Sequence, residues 1–168
     1  MKQLLTTLVV LFISSALFIA CNDKTTTSTN EEIKPTFDIP GAKKIIDSTN
    51  AAFSALVAKG DSAGLAALYT TDAKVMMPNM PSASGRSQIQ SGFGGMFAAM
   101  GPIDLRLTAV DVWGNDDMVI EEGSYVMSKE GKEIDRAKYI VLWKMEDGKW
   151  KLFRDIFNSD NPPVPPGK

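Results

Sequence analysis

Four segments of alternating hydrophobicity close the chain, and only short turns separate them. Ile103–Trp113 is followed by Gly114-Asn115-Asp116, and Met118–Ser128 by Glu130-Gly131-Lys132. Glu133–Met145 is followed by Glu146-Asp147-Gly148, and Trp150–Asn158 comes last. Period-two alternation predicts strands with one buried face. Turns this short allow only antiparallel neighbours, so the segments predict a meander. Such a sheet needs a cover for its apolar face, and the preceding segment supplies helices.

Asp38 is placed to cap a first helix, with Pro40 tolerated in its opening turn. Ile45, Ile46, Thr49, Phe53, Leu56 and Val57 recur at helical spacing up to Gly60. Asp61 caps a shorter second helix that carries Leu65, Leu68 and Tyr69, and Val75–Met77 reads as a brief strand. Arg86–Met100 reads as a third helix, with Ile89, Phe93 and Phe97 on one face. The expected fold is α+β: three N-terminal helices packed on a curved, mostly antiparallel meander sheet.

The N-terminus reads as an address. A single basic residue, Lys2, precedes an uncharged, mostly apolar run from Leu4 to Ile19. That run is short for a stable membrane span but has the length of a signal-peptide core. It ends in Phe18-Ile19-Ala20-Cys21, which resembles the lipobox of bacterial lipoproteins. The resemblance implies cleavage after residue 20 and acylation of Cys21, with the protein lipid-anchored in the cell envelope. Residues 21–37 hold the run Thr25-Thr26-Thr27-Ser28-Thr29 without an apolar period and read as a tether. The folded domain is expected over 38–160, with a Pro-rich tail over 161–168.

Composition prunes the chemistry. The chain has no histidine and one cysteine, so Ser-His and Cys-His pairs and zinc sites of His and Cys are excluded. No cofactor or metal is expected. A net charge of -2 offers no basic field for nucleic acid.

Several motifs together resemble the nuclear transport factor two-like superfamily, which includes ketosteroid isomerase-like and SnoaL-like proteins. They are Gly60-Asp61 with Leu68-Tyr69-Thr70-Thr71-Asp72, Gly85-Arg86 with Ile89, and Gly123 with Tyr125. Tyr139–Trp143, Gly148-Lys149-Trp150 and Arg154–Asp160 complete the set. The resemblance implies a cone-shaped, cystatin-like roll around a cavity, and a homodimer formed through the outer face of the sheet. It also implies that the face of Glu121 and Tyr125 and the face of Arg154 and Asn158 line the cavity. Tyr69, Met77, Tyr125, Trp143, Arg154 and Asn158 are then the candidate ligand contacts, and Glu121 and Asp155 the candidate catalytic carboxylates.

Two functions stay open on these residues. One is a module that binds a small, largely apolar or acidic ligand. The other is an isomerase, cyclase or hydratase in which a carboxylate moves a proton, Tyr125 or Tyr69 donates to an enolate oxygen, and Arg154 neutralises it. Glu121 paired with Arg154 fits either. A dimeric protein-interaction module is a third possibility.

The address is testable directly. Cys21→Ser is expected to move the protein from the membrane to the soluble fraction on cell fractionation; retention in the membrane fraction would indicate an uncleaved anchor.

Overall fold

A computed structural model of the protein describes residues 37–162. The expected signal sequence, Cys21, most of the expected tether and the tail from residue 163 onward lie outside the described residues.

Helix α1 spans Ile39–Lys59, and the Asp38 side chain accepts from the Gly41 N–H at 2.9 Å. Its buried stripe is Ala42, Ile46, Asn50, Phe53 and Val57. The stripe is therefore turned slightly from expectation: Ile45 is exposed, and a polar residue, Asn50, sits at its centre. Helix α2 spans Ser62–Ala67, capped by Asp61 onto the Gly64 N–H at 2.8 Å. It stops short of Tyr69, which instead opens strand β1, Tyr69–Met76. The expected strand at Val75–Met77 thus begins six residues earlier. The aromatic and β-branched run Tyr69-Thr70-Thr71 favours extended backbone, and the Leu152 N–H reaches the Leu68 carbonyl to hold it. A two-residue strand, β2 (Ala83–Ser84), leads into α3, Gly85–Met100.

The expected strands follow as β3 (Asp104–Gly114), β4 (Val119–Lys129), β5 (Lys132–Glu146) and β6 (Lys149–Ser159). They form the meander, and β1 joins its far side in parallel with β6, giving the sheet order β2-β1-β6-β5-β4-β3. The two tightest turns have left-handed backbone at both central residues, Glu130-Gly131 and Asp147-Gly148. That hand matches the twist of antiparallel strands. Helix α1 lies against β3, and α3 lies against β1 and α2.

Three extra residues curve the sheet. Val110 in β3, Ile134 in β5 and Phe153 in β6 each stand between consecutive pairs of the neighbouring strand. A bulge bends its strand and exchanges the faces of everything beyond it. Trp143 pairs with Leu152, but its neighbour Leu142 pairs with Arg154. Beyond Phe153 the odd-numbered residues Asp155 and Phe157 therefore point inward.

The β5–β6 turn end of the sheet is clasped by Glu146. Its carboxylate accepts from the Thr71 N–H and hydroxyl, from Lys151 Nζ and from Arg86, whose Nε also donates to the Tyr69 carbonyl. The Thr71 backbone donor, followed by Lys151, holds this carboxyl down at about 2. The turn between β5 and β6 is thereby tied to β1 and to the start of α3.

Gly123 sits where the Tyr139 ring crosses β4, and a Cβ there would overlap the ring and hydroxyl of Tyr139. Gly123→Ala is expected to destabilise the domain by about 1–3 kcal/mol, read from the urea midpoint at unchanged slope.

Candidate functional site

A cavity of about 410 Å³ lies between the inner face of the sheet and helices α1 and α3. Its walls are overwhelmingly apolar, with Phe53, Phe93, Phe157, Met77, Met96 and Met127 prominent. Volume and lining are those of a small-molecule site. Among the described residues, no Lys or Arg lines it, and its only ionised-acid candidates are Asp135 and Asp155.

Asp155 comes from β6, pairs with Val141 of β5, and enters the cavity because of the Phe153 bulge. One oxygen accepts from the Tyr69 hydroxyl at 2.6 Å. The other takes no hydrogen bond from a described side chain. Burial in apolar surroundings, opposed by the Tyr69 bond and assisted by the charge of Glu121, raises this carboxyl from 3.8 to about 6.

Glu121 is completely buried behind the cavity wall. Its carboxylate accepts from Asn50 Nδ2 at 2.6 Å, the Tyr139 hydroxyl at 2.7 Å and Trp143 Nε1 at 3.0 Å. Burial raises its pKa, and the three donors oppose the rise. Helix α1 and strands β4 and β5 are thus joined by one charged group. At the other end of β5, Asp135 accepts from the Tyr125 hydroxyl at 2.7 Å and from Ser159 Oγ at 2.5 Å.

All three tyrosines of the chain therefore donate to a carboxylate. Burial, then the adjacent acid, raises the pKa of each above its ordinary value. Each hydroxyl has a single proton, and each proton is already committed.

The expected site residues fall into three groups. Met77, Tyr125 and Asp155 line the cavity. Tyr69, Glu121 and Trp143 lie behind its wall, fully buried. Arg154 and Asn158 are on the outer face: they pair with Leu142 and Lys138, and Arg154 stacks over the Phe153 ring while donating to the Asp72 and Phe153 carbonyls. The face assigned to the last strand is corrected beyond the bulge, since strict alternation cannot register one extra residue. The expected Glu121–Arg154 pair is replaced by the Asn50, Tyr139 and Trp143 cage. An enolate role for Tyr69 or Tyr125, with Arg154 neutralising, loses its donors and its cation together.

Asn50, Tyr139 and Asp135 were not anticipated. Asn50 had a signal, a polar side chain one turn from Ile46 on an apolar stripe. Tyr139 had one too, in alternation with Val141 and Trp143. Asp135 had none, because its inward direction is set by the bulge at Ile134.

Helices over a curved mixed sheet, closing on an apolar hollow, match a known class of domain. The profile of the SnoaL-like domain matches residues 50–153, and the chain belongs to that family. Solved structures agree in fold. A protein of unknown function with a cystatin-like fold from Nostoc punctiforme is 19% identical with a TM-score of 0.64, over 70% of this chain and 90% of that one. A nuclear transport factor two-like protein from Novosphingobium aromaticivorans is 16% identical with a TM-score of 0.64, over 74% and 86%. A ketosteroid isomerase-like protein from Erwinia carotovora atroseptica is 16% identical with a TM-score of 0.59, over 71% and 96%. No protein of curated function matches the sequence significantly.

The raised Asp155 carboxyl makes stability depend on pH. The native state holds this proton more tightly than the unfolded chain, so the contribution is fully present below about 3.8 and is lost as pH rises through about 6. Asp155→Asn is expected to flatten that descent and to gain about 1–2 kcal/mol on wild type near neutral pH, measured by urea unfolding across the interval.

Proposed function

We propose that the domain holds a small, largely apolar molecule in this cavity, displayed outside the cytoplasm on a lipid anchor at Cys21. The observation that carries this is the lining: a largely apolar chamber of about 410 Å³ in which one carboxylate, Asp155, keeps an unbonded oxygen. A chamber of this kind excludes water from its walls and retains a ligand mainly by apolar burial, about 25 cal/mol for each Å² covered. An acidic ligand, allowed by the sequence, has no support here, because Arg154 lies outside. We assign the homodimer contact to the outer face of the sheet, where Trp113, Ile120 and Leu142 line up in register beside the exposed Ile156.

Proton transfer by Asp155 is the alternative, and one observation favours it: a carboxyl raised to about 6 is poised as a base. Against it stands the commitment of every tyrosine proton, which leaves no phenolic donor for a developing oxyanion. Holding a ligand makes no such demand, so binding is the better account.

Gly92 of α3 borders the cavity, is itself exposed, and has open space where a side chain would begin. Protein purified from its own host is expected to carry a small molecule in native mass spectrometry. Gly92→Phe is expected to lose it, with at least about a tenfold weaker affinity and no loss of thermal stability, since glycine is a poor helix residue. An empty wild-type cavity under these conditions, or equal retention by both proteins, would overturn the assignment.

A further inference from the structure

The cavity carries charge of one sign. Its ionisable lining groups are Asp155, Asp135, Tyr125 and Tyr139, and no described Lys or Arg side chain reaches it. Lys129, bonded to a wall residue, gives its ammonium to the Met100 backbone carbonyl at 2.6 Å. Every phenolic proton points at a carboxylate, so the walls accept hydrogen bonds and scarcely donate them.

We propose that the ligand is an apolar amine, a hydrophobic body bearing one ammonium group that seats on the free oxygen of Asp155. This rests on the cavity being a ligand chamber and adds the chemistry of the head group. An ammonium has donors and no acceptor, the complement of what the cavity offers. It also removes the penalty of an ionised carboxylate in apolar surroundings, because a buried charge is tolerated when paired. Phe93, Phe53 and Phe157 present aromatic surface in the same chamber, which attracts cations through the ring quadrupole. A carboxylate ligand would meet the opposite conditions: like charge at Asp155, like charge behind it at Glu121, and no free donor.

The groups that face Asp155 are Tyr69 from β1, Glu121 and Tyr125 from β4, and Tyr139 from β5. The helices bring Asn50, Phe53 and Phe93, none of which ionises. The charge acting on Asp155 is therefore that of Glu121, and no positive group among those named opposes it. Asp135 is six positions along β5 from Val141, the partner of Asp155, or about 20 Å of strand. One ammonium cannot reach both, and Asp135 has both oxygens bonded, by Tyr125 and Ser159, so the head group is assigned to Asp155.

Three probes share one body and differ in head group: 4-phenylbutylamine, 4-phenylbutanol and 4-phenylbutanoic acid. Calorimetric titration of the mature protein near neutral pH is expected to rank them amine, alcohol, acid, with the amine at least about tenfold tighter than the acid. The amine stays protonated throughout, so its affinity should fall about tenfold from pH 7.5 to pH 5 as Asp155 takes up a proton. Asp155→Asn should bring the amine to the level of the alcohol and abolish that pH dependence, while alcohol binding shows that the variant remains folded. An acid that binds as well as the amine, or an amine indifferent to pH in the wild type, overturns the head-group assignment alone. Failure of all three to bind overturns the chamber and this assignment with it.

Discussion

A carboxylate without water has to be satisfied by protein, and Glu121 imposes that requirement on the centre of the molecule. Its three donors come from α1 and β5, so helix and sheet are held at one spacing by a single group. Gly123 leaves the gap through which the Tyr139 hydroxyl reaches it. Trp143 and Tyr69, the two largest fully buried side chains, are each fastened by a polar tip as well as by packing. The hollow beside them persists because these side chains are tied to carboxylates and cannot fold into it.

The elements were legible where one period ruled. Both N-caps, the third helix and all four meander strands stand within a residue or two of their sequence bounds, because capping chemistry and alternation are local. The length of β1 was hidden, since its first half is held by parallel pairing with a strand some eighty residues later. The site was hardest to place. Asp155 was singled out but assigned to the wrong face, and Arg154 and Asn158 were given the face that Asp155 occupies. One inserted residue, Phe153, produces both errors, and nothing in a two-residue period marks it.

Pairing each tyrosine with an acid has a chemical outcome. The acids have strong partners without cations, and the hydroxyls keep their protons against deprotonation. The chamber is polar in its second layer and apolar in its first. Asp155 is the exception, because its second oxygen is left facing the interior. Specificity is therefore concentrated on one atom, with shape and apolar area governing the rest.

The clasp at Glu146 gives the two ends of the cone different characters. One end is fixed by charge and by backbone contacts to Thr71, Arg86 and Lys151. The other is edged by Met100, Leu105, Met127 and Ile134 and is tied by Lys129 to the Met100 carbonyl and by Asp135 to Tyr125 and Ser159. The two fastenings share no residue, so a change in one leaves the bonds of the other in place. Exchanging those four apolar residues would reshape the wall of the chamber there without touching any bond of the Glu146 clasp.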